Sequence, residues 1–118
     1  MPKVLLVEDD LTMVSLLMTL LKMEGFDVVA LDVDADVPAV VRSERPDVLF
    51  LDVHLSNQSG LDVISNLRKN KQTRHVRVVM TSGLDMREEC LKHGADGFLL
   101  KPFMPDDLIK VLKQYISK

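Results

Sequence analysis

Cysteine occurs once in these 118 residues, at Cys90, so no disulfide can close within the chain. The three histidines, His54, His75 and His93, are scattered without the spacing of a zinc site. A basic excess is missing as well. Fifteen Lys and Arg stand against 18 Asp and Glu, a net charge of -3, which removes the electrostatic footprint of a domain that grips a phosphate backbone. Long apolar runs are absent from the start of the chain: Met1-Pro2-Lys3 leads into four apolar residues before Glu8, too few for a signal segment or a membrane span. Five glycines and five prolines, spread along the chain, form no linker or low-complexity stretch, and no internal repeat is visible. What is left is one domain, residues 1–118, expected to be cytoplasmic and to make no direct contact with nucleic acid or membrane.

Short apolar runs, several of them β-branched, lie at residues 4–7, 28–31, 48–51, 76–80 and 97–100, as strands buried on both faces require. Between them apolar residues recur at helical spacing: Val14, Leu17, Met18 and Leu21; Val37, Val40 and Val41; Leu61, Ile64 and Leu67; Leu108, Val111, Leu112 and Tyr115. Residues 86–93 form a weaker fourth helical segment. Punctuation agrees with this reading, since Gly25 follows the first helix, Pro46-Asp47 precedes the third strand, and Pro105 with Asp106 and Asp107 suits a helical first turn. Strand and helix alternate five times, which predicts an α/β fold, a doubly wound parallel five-stranded sheet covered on both faces.

In such a sheet, ligands bind beyond the carboxyl ends of the strands, where strand order reverses. The polar residues at those ends are Glu8-Asp9-Asp10, Asp52, Thr81-Ser82-Gly83 and Lys101-Pro102. Asp10 is read as the cap of the first helix. Glu8, Asp9 and Asp52 brought together would repel one another, and a divalent cation relieves the conflict. An all-oxygen set with few carboxylates suits Mg²⁺. Lys101 adds an ammonium and Thr81 a hydroxyl, so the rim is equipped to receive a phosphoryl group on a carboxylate nucleophile, for which Asp52 is the natural acceptor.

These residues, as Leu5-Leu6-Val7-Glu8-Asp9-Asp10, Leu51-Asp52 with Leu55 and Gly60 behind it, Met80-Thr81-Ser82 and Lys101-Pro102-Phe103, resemble in order and spacing the motif set of response-regulator receiver domains. The resemblance spans the whole chain. It implies a flavodoxin-like strand order 2-1-3-4-5 and a phosphorylation-dependent switch in bacterial two-component signalling, not a turnover enzyme. By the same resemblance Asp52 accepts a phosphoryl group from a sensor histidine kinase or a phosphotransfer protein. Mg²⁺, with Mn²⁺ able to replace it, is held by Asp9 and Asp52, by Glu8 through water, and by the main-chain carbonyl of His54. Lys101, Thr81 and Ser82 belong to the phosphoryl-binding set, and Phe98 to the aromatic switch position, turning inward as Thr81 moves. The Lys101–Pro102 bond is expected to be cis. Phosphorylation then alters the face made by the fourth helix, fifth strand and fifth helix, where an effector domain, a partner or a second copy binds; Leu84, Met86 and Tyr115 are candidate contacts there.

Ser56 stands where proline is frequent in the family, and Ser59 where aspartate is frequent; neither is expected to supply a key ligand. His54 and Gly83 fall at positions that tune the lifetime of the phosphoryl group. Other readings weighed on the same residues are a phosphatase of the haloacid dehalogenase type, a receiver fold without phosphorylation, and a flavin carrier. The first wants a second aspartate where His54 stands, the second would leave a filled site without use, and the third would need small residues and donors where Glu8-Asp9-Asp10 stands. Ending just after the fifth helix suits either a single-domain regulator or a receiver cut from a longer chain.

Overall fold

The computed structural model describes residues 1–116. The strands are β1 (Lys3–Val7), β2 (Asp27–Leu31), β3 (Val48–Asp52), β4 (Arg77–Ser82) and β5 (Gly97–Leu100); the helices between and after them are α1 (Leu11–Met23), α2 (Val37–Glu44), α3 (Gly60–Lys69), α4 (Arg87–Lys92) and α5 (Pro105–Ile116). All pairings are parallel and the order is β2-β1-β3-β4-β5.

Side chains alternate across a strand, and here both faces are covered, which is why the strands read as unbroken apolar runs. Val4 and Leu6 of β1, with Val48 and Phe50 of β3, pack against Leu17 and Leu21 of α1 and Leu108 and Leu112 of α5. Leu5, Val7, Leu49 and Leu51 face the other way, onto Val37 and Val41 of α2, Val63, Ile64 and Leu67 of α3, and Cys90 of α4. A fully buried Leu or Val contributes roughly 1.5–3 kcal/mol. Cys90 is therefore a core residue, and burial, with Glu89 beside it, pushes its thiol up to about 11.

Local signals set the helix starts. Asp10 caps α1 by accepting the amide of Met13, and Asp36 caps α2 by accepting that of Ala39. The weak fourth helical segment is a helix of only six residues. The fourth strand starts one residue later than its apolar run and continues through Thr81 and Ser82, whose backbones pair with Leu99 and Leu100. Methionine is not uniformly core filling: Met80 is buried, whereas Met23 and Met104 are exposed. Tyr115 is half-buried, its hydroxyl donating to the Asp96 carbonyl at 2.5 Å, so it offers little free surface, and Met86 packs against the core; Leu84 is exposed. No helix among the described residues is long and apolar enough to cross a membrane.

Candidate functional site at the carboxyl edge of the sheet

The chain leaves β1 toward β2 on one side and later returns to add β3 on the other, so strand order reverses between β1 and β3. Registration of Val7 with Leu51 puts Glu8 and Asp52 side by side at that crevice, and registration of Asp52 with Thr81 extends the rim to β4. Lys101 follows β5 and its amide donates to the Ser82 carbonyl at 2.9 Å; the Lys101–Pro102 peptide is cis.

Lys101 reaches back across the rim. Its Nζ donates to Glu8 Oε1 at 2.6 Å and to Asp52 Oδ2 at 2.7 Å, while the His54 amide donates to Asp52 Oδ1 at 3.0 Å. Glu8 and Asp52 are buried and Asp9 is exposed. One oxygen from each of Glu8, Asp9 and Asp52 lies within 4.8 Å of the others. An all-oxygen set this close fits a single hard cation such as Mg²⁺, with open positions for water or phosphoryl oxygens.

The electrostatics follow from two buried acids sharing one ammonium. Burial pushes the Glu8 carboxyl up to about 7, the adjacent Asp52 adds to the rise, and Lys101 opposes it. Burial acts upward on Asp52 too, but hydrogen bonds with Glu8, Lys101 and the His54 amide outweigh it and hold Asp52 below its ordinary value. Burial acts downward on Lys101, and its two carboxylate partners reverse that, so it stays cationic. The cluster therefore keeps an ionised Asp52 beside a Glu8 that readily holds a proton, an arrangement that invites a second positive charge.

Of the residues singled out in the sequence, Glu8, Asp9, Asp52 and Lys101 converge. Thr81 is fully buried with its hydroxyl directed to the Leu99 carbonyl at 2.7 Å. The Ser82 hydroxyl accepts the Leu84 amide at 3.1 Å and lies 3.8 Å from the Met86 sulfur. Phe98, expected to turn inward as Thr81 moves, is already buried while the Thr81 hydroxyl points to Leu99, because its ring packs into the core of the α2, α3 and α4 side; the Arg87 guanidinium lies 5.7 Å from its ring centre. The His54 side chain is exposed.

Two contributions were not legible as such. Gly60 opens α3 directly against the end of β3, and a β-carbon there would meet the Asp52 carbonyl oxygen at 2.2 Å, so only glycine lets α3 start this close to the acid. Ser56, set aside in the sequence as a missing proline, donates its hydroxyl to Asp9 Oδ2 at 2.8 Å. A serine 47 positions from its partner carries no local signal; only the approach of the β3–α3 loop to the end of β1 reveals it.

Comparison with known proteins agrees with this geometry. Residues 4–113 match the family described as response regulator receiver domain. The transcriptional regulatory protein CpxR of Klebsiella pneumoniae is 33% identical over 118 residues, 100% of this chain and 50% of the relative. The DNA-binding response regulator MtrA of Mycobacterium tuberculosis is 32% identical over 109 residues, 91% of this chain and 47% of that protein. The chain thus spans about half the length of these curated relatives. Among solved structures, the receiver domain of the Francisella response regulator 1452 superposes with a TM-score of 0.90 at 28% identity, covering 99% of this chain and 98% of that one. The receiver domain of the sensor histidine kinase PA1611 of Pseudomonas aeruginosa, described with a magnesium ion in its active-site cleft, gives a TM-score of 0.87 at 25% identity over 99% and 98% of the two chains.

Proposed function

The chain belongs to the response regulator receiver domain family, whose members switch by phosphorylation in two-component signalling, and on that premise we propose that Asp52 is its phosphoacceptor. The observation that carries the reading is the buried Asp52 carboxylate, ionised beside Lys101 and grouped with Glu8 and Asp9 at the switch point of the sheet. The donor is the phosphohistidine of a sensor kinase or a phosphotransfer protein. An Asp52 oxygen forms the new bond to phosphorus as the phosphorus–nitrogen bond breaks, and the leaving imidazole keeps the electron pair.

Asp9, Asp52 and the His54 main-chain carbonyl would hold Mg²⁺, with Glu8 assisting, and Mn²⁺ would be an acceptable substitute. When bound, the cation supplies charge that offsets the negative phosphoryl oxygens. Lys101 already spans Glu8 and Asp52, so it needs only to exchange a carboxylate partner for a phosphoryl oxygen. Thr81 gives up its bond to Leu99, and Ser82 turns its hydroxyl proton away from the Met86 sulfur, to contribute donors at the same group. A switch of this size trades single hydrogen bonds of about 1 kcal/mol each, small enough to be driven by a charged ligand. Phe98 and Arg87, joined ring to guanidinium, then relay the change to the α4, β5 and α5 surface, where an effector domain, a partner protein or a second copy reads it.

The relatives named for transcriptional regulation and DNA binding are about twice this length. With a net charge of -3, the domain described here acts on such an output through its α4, β5 and α5 surface, as a cytoplasmic signalling module making no nucleic-acid contact of its own.

Intact-mass measurement after incubation with acetyl phosphate, with and without Mg²⁺, tests the assignment. One Mg²⁺-dependent phosphate adduct is expected on the wild type and none on Asp52→Asn. An adduct on the variant, or none on either protein, would overturn it.

A further inference from the structure

We propose that Ser56 is a specificity-determining residue of the metal site: by holding one oxygen of Asp9 it makes that carboxylate a single-oxygen ligand and favours Mg²⁺ over Ca²⁺. The inference rests on the reading of Asp9 as a metal ligand.

Asp9 is exposed, and left alone its carboxylate would rotate freely. Ser56 Oγ donates to its Oδ2 at 2.8 Å, so Oδ1 is the oxygen not engaged by that hydroxyl, and one Asp9 oxygen lies within 4.8 Å of oxygens of Glu8 and Asp52. The hydroxyl is itself held in place. Asn57 hydrogen-bonds the Asp34 carboxylate, and the Gln58 amide donates to the carbonyls of Val33 at 3.0 Å and Ala35 at 3.4 Å, so the loop carrying Ser56 is tied to the β2–α2 connection. Mg²⁺ takes one oxygen per carboxylate in a tight octahedron, and this arrangement suits it without change. Ca²⁺ accepts more oxygens at longer distances and gains from a carboxylate that chelates with both. To chelate, Asp9 must turn Oδ2 toward the ion against the hold of the Ser56 hydroxyl, a penalty that falls on Ca²⁺ and not on a single-oxygen Mg²⁺ site. Proline at this position would lack the hydroxyl and could impose no such penalty.

The bond lies at the surface, so it adds little to the stability of the fold, and this separates orientation of a ligand from a purely structural role. Isothermal titration calorimetry of the full chain with Mg²⁺ and with Ca²⁺ provides the test. Ser56→Ala is expected to narrow the preference for Mg²⁺ by about threefold or more, the scale of one exposed hydrogen bond, mainly by tightening Ca²⁺, with the melting temperature of the metal-free protein unchanged. Ser56→Thr, which keeps the hydroxyl, is expected to restore the preference. An unchanged ratio in Ser56→Ala, or a Thr variant that behaves as the Ala variant does, would overturn the role. Asp9→Asn separates the two levels. Metal binding equal to wild type in that variant removes Asp9 as a ligand and the inference with it; lost Mg²⁺ binding together with an unchanged ratio in Ser56→Ala removes the role of Ser56 alone.

Discussion

Two charged clusters stand at opposite edges of the sheet, and they are built differently. At the amino edge, Arg68 donates to the carbonyls of Gly94 at 3.0 Å, Arg74 at 3.1 Å and Val76 at 2.8 Å, and to Asp96 Oδ2 at 3.2 Å. That same Asp96 oxygen accepts the Val78 amide at 2.8 Å, and Arg77 reaches the other at 3.4 Å. Gly94 leaves room for the Arg68 stem, since a β-carbon there would lie 2.9 Å from it. At the carboxyl edge, two buried carboxylates share the Lys101 ammonium, with a third acid beside them. The first cluster ends most of its bonds on backbone, and its spare positive charge sits on Arg77, which is half exposed to water; it is a staple between α3, β4 and the α4–β5 turn. The second leaves negative charge over and ends its bonds on side chains that can exchange partners. A satisfied network reads as structure, and a surplus of one sign held out of water reads as a place for a ligand.

The contrast breaks most visibly at the staple. Arg68→Ala is expected to lower the unfolding free energy by about 2–3 kcal/mol in urea titration, below the range for a fully buried pair because Arg68 and Asp96 are each 22% exposed, while Mg²⁺-dependent phosphorylation persists. A loss under about 0.5 kcal/mol would mean the staple is dispensable.

An effect of different character is expected at the carboxyl edge. Folding raises the Glu8 carboxyl from its ordinary 4.5 to about 7, so the folded state binds its proton more tightly than the unfolded one. The stabilising contribution is complete below about 4.5 and is lost as pH rises through about 7. Metal-free wild type is thus expected to lose stability over that window, Glu8→Gln to lose less, and Mg²⁺ to restore stability at pH 8. Mg²⁺ affinity falls as pH drops below about 7, because the ion then competes with the proton. Equal slopes in the metal-free wild type and Glu8→Gln would remove Glu8 from the balance.

The finest measurement uses Cys90, on the buried face of α4, with its thiol raised to about 11 by burial. A thiol reagent at pH 8 is expected to label native protein slowly, and faster in Arg68→Ala, which frees the α4–β5 turn, than in Glu8→Gln. Equal rates in the two variants would show that the staple does not hold α4.

Legibility in the sequence followed the range of the interactions. The runs at 48–51 and 4–7 announced β3 and β1 because burial on both faces demands uninterrupted apolar residues, and Asp10 announced α1 because a cap acts three residues away. The end of β4 was less clear: Thr81 and Ser82 are polar side chains on a backbone that stays paired, and a pattern of hydrophobicity registers only side chains. Asp52 and Lys101 were visible as residue types at strand ends, whereas their contact at 2.7 Å spans 49 positions and depends on the sheet.

The sequence by itself determined the alternation of strands and helices, the layering of the core and the identity of the rim acids and lysine, since each rests on local spacing or on the side chain's own chemistry. Tertiary structure alone decided how charge is shared at the rim: Glu8 favours its proton and Asp52 loses its own because burial and a single ammonium act on both at once. It also decided that Thr81 turns to Leu99, that Gly60 clears the Asp52 carbonyl and that Ser56 meets Asp9. Those are contacts between segments far apart in the chain, and no spacing rule reaches across that distance until parallel pairing fixes which strand ends are neighbours.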